Sequence, residues 1–355
     1  MGIGGSKAEM PPTVLSFKNE KKVFEGPESY RDALGKVQEA ENIGAVCLSG
    51  NTFGVGASKA FSDGLERHRD IEDIDISDVF TGRLRAEIPQ SVGSFASLMC
   101  GLPRLRVVNV SDNAFGPDCV IHMEGFLSGA ASLETLRMQN CGLGPEGGRI
   151  VANALLRLGE AASKPCLREL ILGRNRLEDG SCAEFGKVFE AHPLLELVAM
   201  PQNGIRPDGS VLLLAGLSSC KNLQTLDIQD NTLSGAGGDK LCEALPGWPG
   251  LEYLDVGDCM LPGRSSKHIV ELLRTVFSEE GRLVYLGLHY SEVSEETAMA
   301  LCGVLPSFPR LHSLKLNGNC FEKDGAAGRE IRRTFEECCY SAGPGVDEWD
   351  DFDSE

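Results

Sequence analysis

The sequence predicts an α/β leucine-rich repeat solenoid, a curved horseshoe with an inner parallel sheet, outer helices and about ten or eleven repeats. The first observation behind this prediction is a template, L-x-x-L-x-L-x-x-N-x-L, which recurs ten times in recognisable form. The second is its period, because the N position of the template falls at 51, 79, 113, 141, 175, 203, 231, 259, 291 and 319. Most of these positions are 28 residues apart, and the exceptions are 32 or 34. The third is the helical spacing of apolar residues between the copies, as in "GGRIVANALLRL" at 147–158.

Each copy of the template predicts a strand, an inward turn and a helix. The L-x-L pair alternates with period two, which predicts a short strand with its leucines on the buried face. The template asparagine then turns inward, where its amide can satisfy backbone groups of the turn that would otherwise be buried unpaired. Five asparagines are expected to have this structural role: Asn113, Asn175, Asn203, Asn231 and Asn319. A helix such as "GGDKLCEALP" at 237–246 completes the repeat.

The repeats define the expected domain organisation. Residues 1–12 are expected to be a flexible leader, and residues 13–340 a single leucine-rich repeat domain that includes both terminal caps. Within it, residues 13–42 are expected to form an irregular cap with a partial first repeat, and "GREIRRTFEECC" at 328–339 the closing helix. Residues 341–355 are expected to be a short, flexible acidic tail.

Composition excludes several classes of function. The formal net charge of −18 argues against a nonspecific nucleic-acid binder and favours a partner with a basic face. The sequence has an odd number of cysteines, thirteen, and no C-x-x-C motif. Reduced, buried thiols in a protein of the cytosol or nucleus are therefore expected. The six histidines show no metal-ligand spacing, and the glycine-rich stretches lack the order of a P-loop. The sequence therefore predicts no metal, no cofactor and no active site of its own, in a chain expected to be monomeric.

The two largest breaks in the period are the spacings of 34 residues, and the first of them follows Val79 with the stretch "FTGRLRAEIP" at 80–89. Because all strands of a parallel solenoid run the same way, every strand-to-helix turn emerges on one rim. Arg83 and Arg85 are therefore expected to project from that rim. The second break, within 141–175, is expected to be a helix extension away from it.

One rim residue stands out by its register. Asn140 comes one place before the template slot, which Cys141 fills, so its amide is expected to face outward. The other rim turns supply further polar candidates for binding a partner, including Asp112, Arg174 and Arg206.

Several strings along residues about 45–320 are more specific than the generic repeat. They are "LSGNT", "SDVFTGR" followed by "EIP", "SDNAFGP", "NCGLGP", "GRNRLEDGS", "QNGIRPDG" and "QDNT". Together they resemble the GTPase-activating proteins of the small GTPase Ran, whose repeats are of the ribonuclease-inhibitor-like kind. The resemblance implies a stimulator of GTP hydrolysis on the GTP form of Ran, in support of nucleocytoplasmic transport. A Ran-binding protein is an optional third component.

The resemblance also implies how the residues act. General phosphoryl-transfer chemistry would favour Arg83 as an arginine finger. The family instead uses an asparagine that matches Asn140 to orient the catalytic glutamine of the GTPase. GTP and Mg²⁺ would then belong to the partner. The residues expected to bind that partner are Arg83, Arg85, Asp112, Arg174 and Arg206.

The chain departs from the family at its ends. The acidic C-terminal region is expected to be shorter than that of relatives, and no counterpart is expected of the additional domains with which some relatives reach the nuclear envelope. The start "MGIGGSK" matches an N-myristoylation pattern, so Gly2 is a candidate for a weak, reversible membrane tether. The expected location is the cytoplasm, with a perinuclear or membrane-associated position as the alternative.

Two other functions fit a leucine-rich repeat array. A non-catalytic binding or inhibitor module would need area and complementarity, with no particular need for an outward asparagine beside the Arg83 loop. A scaffold protein would have no effect on the hydrolysis rate of any GTPase.

Overall fold

The structure is a computed structural model, and it describes residues 12–161, 165–276 and 281–338. The leader up to residue 11, which includes Gly2, and the acidic tail at 341–355 lie outside these residues. The chain divides into two compact units, Met1–Cys141 and Gly142–Glu355, and each is built of strand–turn–helix repeats.

The strands of the first unit form a parallel sheet because every repeat returns the chain in the same direction. The middle residues of four strands, Val46, Ile74, Val108 and Leu136, pair in one line and are buried, as period-two alternation requires. Among the described residues the sheet order is β1-β3-β5-β6-β7, and β2 pairs separately with β4. The strands of this unit are β1 (Thr13–Ser16), β2 (Val23–Phe24), β3 (Ile43–Cys47), β4 (Thr52–Phe53), β5 (Asp73–Asp75), β6 (Val107–Asn109) and β7 (Thr135–Arg137).

The helices of the first unit bury one apolar face. In the third helix Ile88, Val92, Phe95 and Met99 recur at helical spacing, and all four are buried. Pro89 at its first turn needs no hydrogen-bond donor there, which suits a helix start. The helices are α1 (Pro27–Glu39), α2 (Val55–Leu65), α3 (Ile88–Cys100), α4 (Gly116–Val120) and α5 (Glu124–Gly129).

The second unit repeats the same plan. Its strand centres, from Leu170 through Val198 to Leu314, pair in one buried line. The strands are β8 (Glu169–Ile171), β9 (Leu197–Ala199), β10 (Thr225–Asp227), β11 (Tyr253–Asp255), β12 (Tyr285–Gly287) and β13 (Ser313–Lys315). The helices are α6 (Gly144–Ala161), α7 (Cys182–Ala191), α8 (Pro207–Leu217), α9 (Ser234–Ala244), α10 (Gly263–Val276), α11 (Glu295–Cys302) and α12 (Ala326–Cys338).

The template asparagines form a ladder of amide hydrogen bonds. Asn203 is fully buried, and its Nδ2 donates to the carbonyls of Leu172 at 3.1 Å and Met200 at 3.0 Å. Its backbone N–H donates in turn to Oδ1 of Asn231 at 3.2 Å. The Nδ2 groups of Asn113, Asn231 and Asn319 likewise donate to a carbonyl of their own turn and to one of the preceding turn, and that of Asn175 donates to the carbonyl of Leu172 in its own turn. These bonds confirm the structural role expected for the template asparagines.

The leucine-rich repeat solenoid fold is confirmed. Each of the ten template copies carries a described strand, and β1 adds an eleventh. The second break in the period is the expected helix extension, because α6 runs for 18 residues up to Ala161, and residues 162–164 are not described.

Two expectations need correction. Residues 13–42 form a first repeat that is more complete than the expected irregular cap with a partial first repeat, because α1 packs on α2 and β1 pairs in parallel with β3, with one register shift between Thr13 and Val14. The buried rings of Phe17 and Phe24 stabilise this first repeat by packing on Phe61. The expectation that the thiols are buried is wrong for two of the described cysteines, since Cys100 and Cys320 are exposed.

Candidate functional site

The turns that follow the strands of the first unit share one backbone feature. The residue just before each template slot has a positive φ: 69° at Gly50, 48° at Asp78, 59° at Asp112 and 53° at Asn140. We call these four residues the turn row. Glycine, aspartate and asparagine tolerate this left-handed conformation better than other residues do. The three side chains of the row are exposed, so each of these repeats presents one polar group outward.

Backbone hydrogen bonds between neighbouring turns fix this conformation. The N–H of Asp78 donates to the carbonyl of Ser111 at 3.0 Å, and the N–H of Asp112 donates to that of Gln139 at 2.8 Å. The row is therefore held by main-chain bonds and needs no partner to order it.

Asn140 and Asp112 lie together at the end of the row. Nδ2 of Asn140 donates to Oδ1 of Asp112 at 2.9 Å, and both side chains are exposed. Cys141 fills the inward slot, where its Sγ donates to the carbonyl of Val110 at 3.2 Å and burial raises its pKa to about 12. The outward position expected for the Asn140 amide is confirmed. Because Asp112 takes an N–H of that amide, the amide oxygen is left as the outward acceptor.

The first break in the period is an ordered loop, residues 80–87, which we call the insertion loop. Phe80 is buried, and its ring lies 6.5 Å from that of Phe95 and 6.2 Å from that of Phe115. The hydroxyl of Thr81 donates to Oδ1 of Asp78 at 2.6 Å, which links the loop to the turn row. The loop is thus anchored both in the core and at the rim.

Arg83 does not project from the loop as expected. Its side chain is only 12% exposed, because the guanidinium lies between two carboxylates. It donates to Oε2 of Glu87 at 2.8 Å, to Oε1 of Glu25 at 3.0 Å, and closely to the second oxygen of Glu25. These bonds raise the pKa of Arg83 and lower that of Glu25. The expectation that Arg83 points to solvent is wrong, since an arginine beside two acids satisfies its donors within the chain.

Arg85 does project. Its side chain is 77% exposed, and Nη2 donates to Oδ2 of Asp118 at 2.9 Å. Asp118 lies on α4, in the repeat of Asp112, so Arg85 extends from the insertion loop towards the next repeat. An exposed pair of this kind is weak and can be exchanged for another carboxylate.

Arg174 and Arg206 belong to the second unit, on the exposed turns of adjacent repeats. Arg174 has φ 59° and occupies the position equivalent to the turn row. Arg206 immediately precedes α8, and its backbone N–H donates to Oδ1 of Asp179 at 2.8 Å. Both side chains are therefore available on the surface of their unit.

Three residues of the site were not singled out from the sequence. Leu84, at the centre of the insertion loop, is 69% exposed, and Glu25 and Glu87 are the partners of Arg83. The signal for Leu84 was present, because it lies in an insertion and has no slot in the repeat template. No comparable signal pointed to Glu25, which is 58 residues from Arg83 in the sequence.

Within the described ranges, no group of three or more histidine, cysteine, aspartate or glutamate side chains is placed to hold a metal ion. None of the described helices combines the length and the apolar character that crossing a membrane requires.

The fold and the turn row define a leucine-rich repeat protein whose turns present polar side chains. A family model described as "Leucine Rich repeat" matches residues 129–149 and 219–242. The chain is 33% identical over 305 residues to Ran GTPase-activating protein 1 of Saccharomyces cerevisiae, covering 82% of this chain and 74% of that protein. It belongs to the Ran GTPase-activating protein family, which confirms the resemblance of its motifs.

Two further relatives agree with this assignment. Ran GTPase-activating protein 1 of Xenopus laevis is 38% identical over 207 residues, covering 56% of this chain and 36% of that protein. Ran GTPase-activating protein of Drosophila melanogaster is 33% identical over 321 residues, covering 88% of this chain and 53% of that protein. The chain thus spans about half of the fly relative and about a third of the frog relative.

Proposed function

We propose that this chain is a GTPase-activating protein for Ran, which stimulates GTP hydrolysis by completing the active site of its partner. The observation that carries the proposal is the outward amide of Asn140, fixed by Asp112, in a chain of this family. GTP and Mg²⁺ belong to the GTPase in this proposal, and this chain contributes neither a nucleophile nor a cofactor.

The chemistry follows from the orientation of the amide. In a GTPase that relies on a glutamine to position the attacking water, that side chain must be held in one rotamer. The amide oxygen of Asn140 can accept an N–H of the glutamine, while Asp112 prevents the Asn140 amide from turning over. Ordering the glutamine before the chemical step lowers the entropic part of the barrier. Asn140 is thus catalytic in trans.

The remaining rim residues support binding in this proposal. Arg85 contacts Asp118 on α4, and Asp112 lies in the turn that precedes this helix, so the two exposed side chains offer one charge of each sign. Arg174 and Arg206 provide further cations on the second unit. An exposed arginine can exchange a weak internal partner, or water, for a carboxylate of the GTPase. The GTP form of Ran is the proposed partner of a monomeric chain, with a Ran-binding protein as an optional third component.

The proposed cellular role is support of nucleocytoplasmic transport from the cytoplasm, with a perinuclear or membrane-associated position as the alternative. Gly2, which lies outside the described residues, would supply the weak membrane tether if it is myristoylated. Mass spectrometry of the native protein tests this, because an unmodified Gly2 removes the tether.

The test is single-turnover hydrolysis of GTP bound to purified Ran, with a sub-stoichiometric amount of this chain. The wild-type chain is expected to accelerate hydrolysis, and Asn140→Ala is expected to lose about a hundredfold or more of that effect. Asp258→Ala is the matched control, because Asp258 is an exposed residue with φ 49° at the equivalent turn position of a later repeat.

The outcomes separate the mechanism from the function. Stimulation that survives Asn140→Ala keeps the function and removes the role of the amide. If the wild-type chain leaves the hydrolysis rate of Ran unchanged, the chain is a binding or scaffold protein and the proposal is wrong.

A further inference from the structure

Leu84 has an apolar side chain that does not contribute to the core of the repeat. It is 69% exposed, whereas Phe80 in the same loop is 3% exposed and occupies the core position between Phe95 and Phe115. The backbone on both sides is closed by tight turns, because the N–H of Arg83 donates to Phe80 and the N–H of Glu87 donates to the carbonyl of Leu84. The loop therefore holds the leucine in solvent.

The clamp behind Leu84 joins three segments of the first unit. Glu25 comes from the connection between β2 and α1, Arg83 from the insertion loop, and Glu87 from the residue before α3. Nε and Nη2 of Arg83 reach Oε2 of Glu87 at 3.1 and 2.8 Å, and Nη2 reaches Oε1 of Glu25 at 3.0 Å. A guanidinium that is 12% exposed and bonded to two carboxylates orders its segment far more than an exposed pair does.

The residue that follows Leu84 is anchored in the opposite direction. Arg85 binds Asp118 of the next repeat, and the side chains of both are more than half exposed. Arg83, before Leu84, is thus held firmly by two carboxylates, whereas Arg85, after Leu84, is held only by one exposed pair. The leucine stands between a fixed cation and one that can change partner.

We propose that Leu84 is the apolar contact by which the insertion loop binds the GTPase, and that Glu25 and Glu87, acting through Arg83, are positioning residues that hold this loop in its binding conformation. The partner surface that fits this loop has an apolar depression beside a carboxylate. Leu84 would fill the depression, and Arg85 would pair with the carboxylate. This inference rests on the proposed function, since it names contacts for the same GTPase. Arg83 stays in its clamp when the complex forms, because leaving it would break charge-assisted hydrogen bonds to two carboxylates at once.

The experiment measures KM and kcat for GTP-bound Ran as the substrate of the full chain. Leu84→Ala is expected to raise KM about tenfold with kcat unchanged, because a buried leucine contributes to ground-state and transition-state binding alike. Leu212→Ala is the matched control, since Leu212 is an exposed leucine on α8 of the second unit. Its KM is expected to equal that of the wild type.

The clamp is tested with the double variant Glu25→Gln and Glu87→Gln, against Glu296→Gln, which removes one carboxylate from an exposed pair with Lys267. The double variant is expected to raise KM about fivefold with kcat unchanged, because an unclamped loop must be ordered on binding. Hydrogen exchange of the loop amides is expected to become faster in the same variant. Glu296→Gln is expected to change neither.

Each result has one meaning. If the KM of Leu84→Ala equals that of the wild type, or if the substitution lowers kcat and leaves KM unchanged, Leu84 is not the proposed contact. Faster loop exchange with an unchanged KM shows that the two glutamates are structural only and overturns their positioning role. If the wild-type chain fails to stimulate Ran at all, the proposed function has failed and the inference fails with it, which the wild-type measurement reveals before any variant is compared.

Discussion

Replacing one buried asparagine of the ladder should destabilise the fold far more than replacing the exposed one that the proposed mechanism uses. Asn113 is 1% exposed, and its Oδ1 accepts the N–H of Val79 at 3.0 Å. Its Nδ2 donates to the carbonyls of Ile76 and Val110, both at 2.9 Å. Asn113→Ala removes these bonds, and a longer one from Nδ2 to the carbonyl of Ser111 at 3.2 Å, close to the point at which the insertion loop begins.

The magnitude follows from the groups left behind. The carbonyl of Val110 keeps the Sγ of Cys141 at 3.2 Å, so the main losses fall on the N–H of Val79 and the carbonyl of Ile76. A buried polar group that loses its partner costs about 1–3 kcal/mol, so the free energy of unfolding should fall by about 4 kcal/mol. Asn140→Ala loses one exposed hydrogen bond and places alanine at φ 53°, which together cost about 1 kcal/mol.

Urea unfolding followed by far-ultraviolet circular dichroism measures both changes, with the GTP hydrolysis assay run on the same samples. The expected result is a crossed pattern, in which Asn113→Ala loses stability and Asn140→Ala loses stimulation. Equal losses of about 1 kcal/mol in the two variants would refute the reasoning, because the backbone groups around Asn113 would then find other partners when its amide is gone.

Two further predictions concern titratable groups. Burial and the neighbouring Asp255 raise the pKa of Asp227 to about 6, so the folded state resists the ionisation of this carboxyl group. Asp227→Asn should therefore stabilise the protein by about 3 kcal/mol at about pH 8, above both the folded and the unfolded pKa. This gain should vanish as the pH falls towards about 4, and urea unfolding measures it at each pH. Among the described cysteines, Cys100 and Cys320 should react first with a maleimide, whereas Cys141 should react only on unfolding, as peptide mass spectrometry would show.

Local register explains why so much of the fold was predictable. The strands, the inward asparagines and the outward Asn140 all depend on spacings within one repeat, where period-two alternation and the turn decide which way a side chain faces. The offset of Asn140 from the template slot was enough to place its amide outside. Its bond to Asp112, one repeat earlier, was not predicted, because the template does not say how far neighbouring side chains reach.

Arg83 shows where sequence reasoning failed. Its position in the insertion was predicted correctly, but the direction of its side chain depends on Glu25, 58 residues earlier, and on Glu87 across a helix start. An arginine in a loop faces water unless an acidic side chain from another segment lies close enough to bind it. The sequence alone does not show which distant acid lies there. The first repeat was also misjudged, because its regularity rests on packing of Phe17 and Phe24 against Phe61, which the repeat template does not contain.

Asn113 and Asn140 carry the same side chain at adjacent positions of the repeat template, but one side chain is buried and the other is exposed. In the template slot the amide is buried and satisfies the backbone, whereas one residue earlier, in the left-handed conformation, it faces the solvent. The backbone bonds that fix the row, such as that from Asp112 to Gln139, exist before any partner arrives. The outward amide is therefore already ordered, and its entropy is not lost again on association. A repeat turn can thus present the side chain that the proposed mechanism uses without a dedicated active-site cavity.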